Sequence, residues 1–161
     1  MTHTPFSVAT YNVLAQSYVR PDRYKGVDPA ALEAAPRRQR VLDRVAGLSD
    51  DVLCLQEVEP DLFEALAAML PEHEARFVQK AERPEGSAIF VRRERFTITS
   101  VETLRYTHGD KNALALIAHL SGGVSVACTH LQWQPPRTAR HAHVGRLQLL
   151  ELLAYVDAHP A

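Results

Sequence analysis

The succession of apolar periods along the chain predicts an α/β fold built on a mixed sheet. Three observations carry that prediction. The run Val52-Leu53-Cys54-Leu55, continuing through Gln56 and Glu57 to Val58, has the length and composition of a strand buried on both faces. Stretches of 3.6-residue period stand on either side of it. From Ala75 onward the period shortens to two, in brief segments parted by charged or Gly/Pro turns.

The first strand is expected over 6–14, where Phe6, Val8, Thr10, Tyr11 and Val13 supply aromatic and β-branched side chains. Residues 16–28, with Pro21 and Gly26 and with Pro29 after them, read as a loop. A helix is expected within 30–47, started or interrupted at Pro36, with Val41, Leu42 and Val45 on one face and Gly47 as its stop. The buried strand of 50–59 follows, and Glu57 falls where it should emerge from the sheet. Pro60 then opens a helix whose stripe of Leu62, Phe63, Leu66, Met69 and Leu70 ends at Pro71. Strands are expected over 76–79, 87–91 and 96–104. A further pair, 112–120 and 124–130, is joined by the hairpin signal Ser121-Gly122-Gly123. After Pro135-Pro136, residues 142–158 read as an amphipathic helix carrying Leu147, Leu150, Leu153 and Tyr155. A helix after a hairpin ordinarily leads to another strand, and the 161 residues hold none beyond it.

The bulk properties bound the class of protein. A chain of 161 residues suits about one domain and buries roughly 68–70% of its unfolded surface. A formal net charge of −1 gives no global drive toward nucleic acid or acidic membrane, so any polyanion site must be a local patch. The N-terminal stretch has no basic segment ahead of its apolar part, and no apolar run approaches the roughly 18 residues of a membrane span. A soluble, cytoplasmic protein is the expectation. Cys54 and Cys128 both sit in apolar strand-like runs and are expected as reduced core thiols rather than a disulfide.

Asn12, Glu57 and His130 lie at or just past the ends of three expected strands. A carboxylate at a buried strand end either holds something or wastes a costly burial. One carboxylate with an amide oxygen and room for water is a poor zinc or calcium cage. It suits Mg²⁺, which keeps several waters and shares substrate phosphate oxygens. A nearby His then stabilises developing charge. Spacing alone does not bring the three together. Asn12 is equally a turn residue, Glu57 an acid favouring the next helix's N-terminus, and His130 a satisfied strand-end histidine. Arg137, Arg140, His141, His143 and Arg146 form a local basic cluster that suits either a phosphate backbone or solvent. Trp133, the single tryptophan, suits either base stacking or packing over a loop. Arg92, Arg93 and Arg95 read as a solvated turn.

Four stretches together resemble a known superfamily: Tyr11-Asn12-Val13-Leu14, Leu55-Gln56-Glu57-Val58, Gly86-Ser87-Ala88-Ile89-Phe90-Val91-Arg92 and Thr129-His130-Leu131. Their order and spacing over residues 6–133 are similar to those of the endonuclease/exonuclease/phosphatase superfamily, and their wording most resembles its deadenylase-like branch. Cys128 stands where the deadenylase pattern often has Asn. The resemblance implies a DNase I-like, four-layered mixed-sheet α/β sandwich and Mg²⁺-dependent phosphoester hydrolysis with water as nucleophile, Mn²⁺ serving as a substitute. It implies metal binding by Glu57, help from Asn12 in holding the metal or its water, and contact of His130 with the scissile phosphate. Trp133, Arg137 and Arg140 are the candidate substrate contacts.

The family's later GDFN-like and Ser-Asp-His segments have no counterpart within the 161 residues. The expectation is therefore a single partial domain over 1–161, incomplete at the C-terminus, carrying roughly half an active site. The leading reading is a phosphodiesterase or nuclease acting on a phosphoester, with nucleic acid among the candidates. The alternatives are an inactive member that binds metal, phosphate or a partner, and a lipid or sugar phosphatase. An unpaired sheet edge in such a chain would favour association.

Overall fold

Each position of Val52–Val58 is buried, and this segment becomes β2, an inner strand of a four-stranded sheet. The computed structural model describes residues 5–159; the leader expected to be absent concerns residues that lie in part outside this range, as does the chain's C-terminal end. The sheet runs β1-β2-β4-β3, with β1 at Val8–Asn12, β3 at His73–Gln79 and β4 at Gly86–Arg92. Only β1 and β2 pair in parallel; β2–β4 and β3–β4 are antiparallel, so the sheet is mixed. The crossover between β1 and β2 contains α1, Ala34–Ala46. The α2 helix, Pro60–Met69, leads from β2 to β3.

A second sheet of three antiparallel strands has the order β5-β6-β7, at Ile98–Arg105, Leu114–Leu120 and Val124–Thr129. Gly122 and Gly123 both take positive φ in the tight β6–β7 turn, which is why this hairpin was legible. The α3 helix, Val144–Ala158, follows.

The packing explains why β2 shows no alternation. Leu53 and Leu55 face Val41, Val45, Leu62 and Leu66 of α1 and α2. Val52 and Cys54 face Leu116, Ala118 and Cys128 of the second sheet. On that sheet's other side Ala115 and Ile117 pack against Leu152, Tyr155 and Val156 of α3. Four layers result: helices, sheet, sheet, helix. Cys54 and Cys128 are free and buried between the sheets.

Several expected boundaries move. The α1 helix starts at Ala34, because Pro29–Leu32 forms a separate 3₁₀ turn whose Asp28 side chain accepts from Ala30 N–H. The 16–28 loop contains two short 3₁₀ turns, Gln16–Tyr18 and Pro21–Arg23. Arg92 and Arg95 are not merely solvated: they bind Ser49 O and the Asp51 carboxylate at the end of the sheet remote from Glu57. No helix among the described residues is long and apolar enough to cross a membrane.

Candidate active site

Asn12 ends β1 by an Asx-type turn. Its Oδ1 accepts from Leu14 N–H at 2.8 Å, and Leu14 takes φ +55°. That bond leaves the amide nitrogen facing β2, where Asn12 Nδ2 donates to Glu57 Oε1 at 2.8 Å. Ala15 N–H donates to the other oxygen, Oε2, at 3.2 Å. His130, just past β7, places Nδ1 3.5 Å from Glu57 Oε1. The three residues converge, although they come from strands of two different sheets.

Glu57 sits at the end of β2, the last residue but one, with φ +58°, where the β2–β4 register shifts between Gln56 and Val58. This is a bulge with its extra residue in the left-handed region, a conformation a non-glycine residue rarely holds. The bulge turns the carboxylate out of the alternating pattern toward the β1 and β7 ends. Strain of this kind clusters at functional sites.

Two further contacts align the strands. Gln56 Nε2 donates to Cys128 Sγ at 3.3 Å and to Thr10 Oγ1 at 3.1 Å. The Cys128 thiol donates to Leu55 O at 3.4 Å. Gln56 adjoins Glu57 and Cys128 lies two residues before His130, so this cross-sheet tether sets the relation of acid to imidazole. Cys128 thus has a structural use at the position where it departs from the deadenylase wording. Hydrogen bonding to Cys128, together with burial, pushes the Cys54 thiol up.

Glu57 and His130 line a cleft of about 440 Å³ with Tyr18, Lys80, Arg83, Glu85, Asp110 and Trp133. Trp133 is 75% exposed, which overturns the reading of it as packing over a loop. Lys80 Nζ and Glu85 Oε1 form a largely buried pair at 2.9 Å. Arg83 Nη2 lies 2.5 Å from Asp110 Oδ2. Burial, with Glu85 next in importance, pushes the Tyr18 hydroxyl up.

Arg137 and Arg140 do not line this cleft; Arg140 borders a separate groove with Leu131, Thr138 and Arg146. His141, His143 and Arg146 do not line the cleft of Glu57 either. A larger cleft of about 770 Å³ between α1 and α2 contains neither Glu57 nor His130. Its arginines are already engaged, Arg37 with the Val13 and Leu14 carbonyls and Arg38 with Asp61.

Sequence reasoning missed Lys80, Arg83 and Asp110, which sit in turns with no periodicity to mark them. It also missed Glu59, which accepts from Gln16 N–H and Ser17 N–H, both at 3.1 Å, and so holds the loop that delivers Ala15 N–H to Glu57.

Among the described residues no group of three His, Cys, Asp or Glu side chains could cage an ion. Glu57, with its carboxylate already oriented and bordering an open cleft, offers the one-carboxylate arrangement that Mg²⁺ accepts when water and phosphate oxygens complete the shell. The residues fit Mg²⁺ and do not fit a closed zinc site.

The family model described as "Endonuclease/Exonuclease/phosphatase family" matches residues 9–161. The chain is 28% identical over 171 residues to "Protein angel homolog 2" of Danio rerio, covering 94% of this chain and 29% of that protein. It is 25% identical over 166 residues to the "CCR4-Not complex 3'-5'-exoribonuclease subunit Ccr4" of Saccharomyces cerevisiae, covering 81% of this chain and 20% of that one. The solved structure of "ANGEL2, a 2',3'-cyclic phosphatase, in complex with adenosine-2',3'-vanadate" superposes with a TM-score of 0.80 at 25% identity, over 95% of this chain and 48% of that chain. The chain therefore spans less than a third of those curated relatives and about half of the solved one. The four-layered arrangement, the ordered motifs and the match over residues 9–161 agree: the chain belongs to the endonuclease/exonuclease/phosphatase family.

Proposed function

We infer that this chain carries the Glu57 half of a phosphoester-hydrolase site, of phosphodiesterase or nuclease type. One observation carries the reading: Asn12 and His130, at the ends of strands of two sheets, both meet the Glu57 carboxylate, and Glu57 and His130 line one cleft. We read residues 1–161 as one part of a single such domain. The family's enzymes are generally dependent on a divalent metal, and here Glu57 would hold Mg²⁺. When bound, Mg²⁺ supplies Lewis-acid polarisation of a phosphoryl oxygen.

The remaining roles belong to the chain's own residues. Asn12 and Ala15 N–H occupy one lone pair on each Glu57 oxygen and fix the carboxylate plane. Asn12 thereby acts as a positioning residue, because its own oxygen is taken by Leu14 N–H. His130 presents Nδ1 to Glu57, which leaves Nε2 as the nitrogen for a non-bridging phosphate oxygen. Trp133 offers an exposed indole on which a base stacks. The exoribonuclease relative and the adenosine-2',3'-vanadate complex favour a nucleotide substrate over a lipid or sugar phosphate. Two buried free thiols suit a reducing, cytoplasmic setting.

The test is Mg²⁺-dependent hydrolysis of bis-nitrophenyl phosphate and of a short RNA, by this chain and by a longer form containing it. Turnover lost in Glu57→Ala is the expected result; undiminished turnover in that variant would overturn the role of Glu57.

A further inference from the structure

The geometry points to Arg83 as the residue that binds the substrate phosphate neighbouring the one cleaved; this rests on reading the cleft as a phosphoester site. Arg83 lies in the β3–β4 turn and borders the same cleft as Glu57, His130 and Trp133. A long side chain at a cleft mouth is ordinarily free to move, at a gain in rotamer entropy. This one is held. Asp110 Oδ2 receives its Nη2 at 2.5 Å, and Tyr18 lines the same cleft.

Asp110 is itself fixed by a chain of contacts running into the protein. Its Oδ1 accepts from Asn112 N–H at 2.9 Å, and its own N–H donates to Gln132 Oε1 at 2.9 Å. Gln132 N–H in turn donates to Oε1 of Gln148, a side chain wholly buried on α3. Gln148 Nε2 donates to His108 O at 2.9 Å. Gly109, at φ +84°, leaves the room: a Cβ there would stand 2.3 Å from Gln132 Oε1 and 2.5 Å from Val144 Cγ1. A second ion pair, Lys111 Nζ to Glu82 Oε2 at 2.9 Å, joins the same two turns. The outcome is an arginine of the first sheet positioned by loops of the second.

A guanidinium has five N–H donors in a planar fork, so the bond to Asp110 leaves others for a phosphate. The scissile phosphate is assigned to Glu57 and His130. Arg83, in the β3–β4 turn of the sheet that carries Glu57, shares the cleft with Trp133, which suits it to the next phosphate along a nucleotide chain whose base stacks on the indole.

The experiment uses the full chain in Mg²⁺ buffer and follows the fluorescence of Trp133, with calorimetry alongside. The probes are a hydrolysis-resistant phosphorothioate dinucleoside and its two singly phosphorylated forms, 5′ and 3′. One of the phosphorylated forms is expected to bind about tenfold more tightly than the parent. Arg83→Gln abolishes that gain, Arg83→Lys keeps part of it, and Asp110→Asn reduces it about threefold. Equal binding of all three probes, or a gain that survives Arg83→Gln, overturns the proposal. Glu57→Gln separates the two readings, because the Arg83-dependent gain persists there even where hydrolysis does not require Glu57.

Discussion

Asn12 Nδ2 and Glu57 Oε1 meet at 2.8 Å across the parallel β1–β2 pair, although the register places Asn12 opposite Gln56 rather than Glu57. The bulge makes the contact. By pushing Glu57 to φ +58°, it turns a side chain that alternation would send elsewhere toward the end of β1.

Replacing Asn12 by Ala removes the donor to Glu57 Oε1 and the acceptor of Leu14 N–H together. A partly buried carboxylate that loses a hydrogen bond costs about 1–3 kcal/mol. The expected outcome is a melting temperature lower by roughly 2–12 °C, at 2–4 °C per kcal/mol for a chain of this size. Phosphodiester turnover falls with it. Calorimetric melting checks the first effect and a Mg²⁺-dependent hydrolysis assay the second; wild-type values for both would contradict a positioning role.

Mg²⁺ is expected to stabilise the wild type by mass action, by about 2.7 kcal/mol at a concentration near 100 times its dissociation constant, and so to raise its melting temperature. Glu57→Gln keeps the shape and the contact to Asn12 but loses the charge, so its melting temperature should not respond to Mg²⁺. Chelation with EDTA should bring the wild type back to its metal-free value. A Mg²⁺ response of equal size in both proteins would place the ion elsewhere.

Gly86 opens β4 opposite Val58, next to the bulge. A Cβ on it would lie 1.9 Å from Val78 O and 2.7 Å from the Cα of Gln79, both backbone atoms that cannot swing aside. Gly86→Ala is therefore expected to cost about 3 kcal/mol or more, a drop of roughly 6–12 °C. The glycine is needed for a close approach of β3 to β4, not for a turn. A melt within 2 °C of wild type would show that the strands part at low cost, with roughly 2 °C being the smallest shift expected per kcal/mol.

The strand and helix order was legible because each buried element carries its period in its own residues. Val52–Leu55 showed itself as a two-sided strand because helices cover Leu53 and Leu55 while the second sheet covers Val52 and Cys54. Asn12, Glu57 and His130 were legible as candidates because they follow apolar runs. Their convergence was not, since it depends on a bulge and on the Gln56–Cys128 tether between sheets. Arg83 and Asp110 were invisible for a related reason: they are 27 residues apart in turns whose sequences say nothing about facing each other. Arg137 and Arg140 show the reverse case, a charge cluster in sequence whose members do not line the cleft of the acid.

The Arg83–Asp110 pair has a pH signature. Asn112 N–H first, and then Arg83, holds the Asp110 carboxyl below its ordinary value near 3.8. A carboxyl lowered in the folded state stabilises it fully above the unfolded value, and that contribution is lost as pH falls through the lower folded value. The side chains are 44% and 36% exposed, so solvent screening limits the ion pair to under about 1 kcal/mol. Asp110→Asn should therefore melt slightly below wild type at neutral pH, and the gap should close as pH drops below about 4. Added salt should narrow the same gap at pH 7. A gap that widens on acidification would mean that the group at position 110 contributes through something other than its charge.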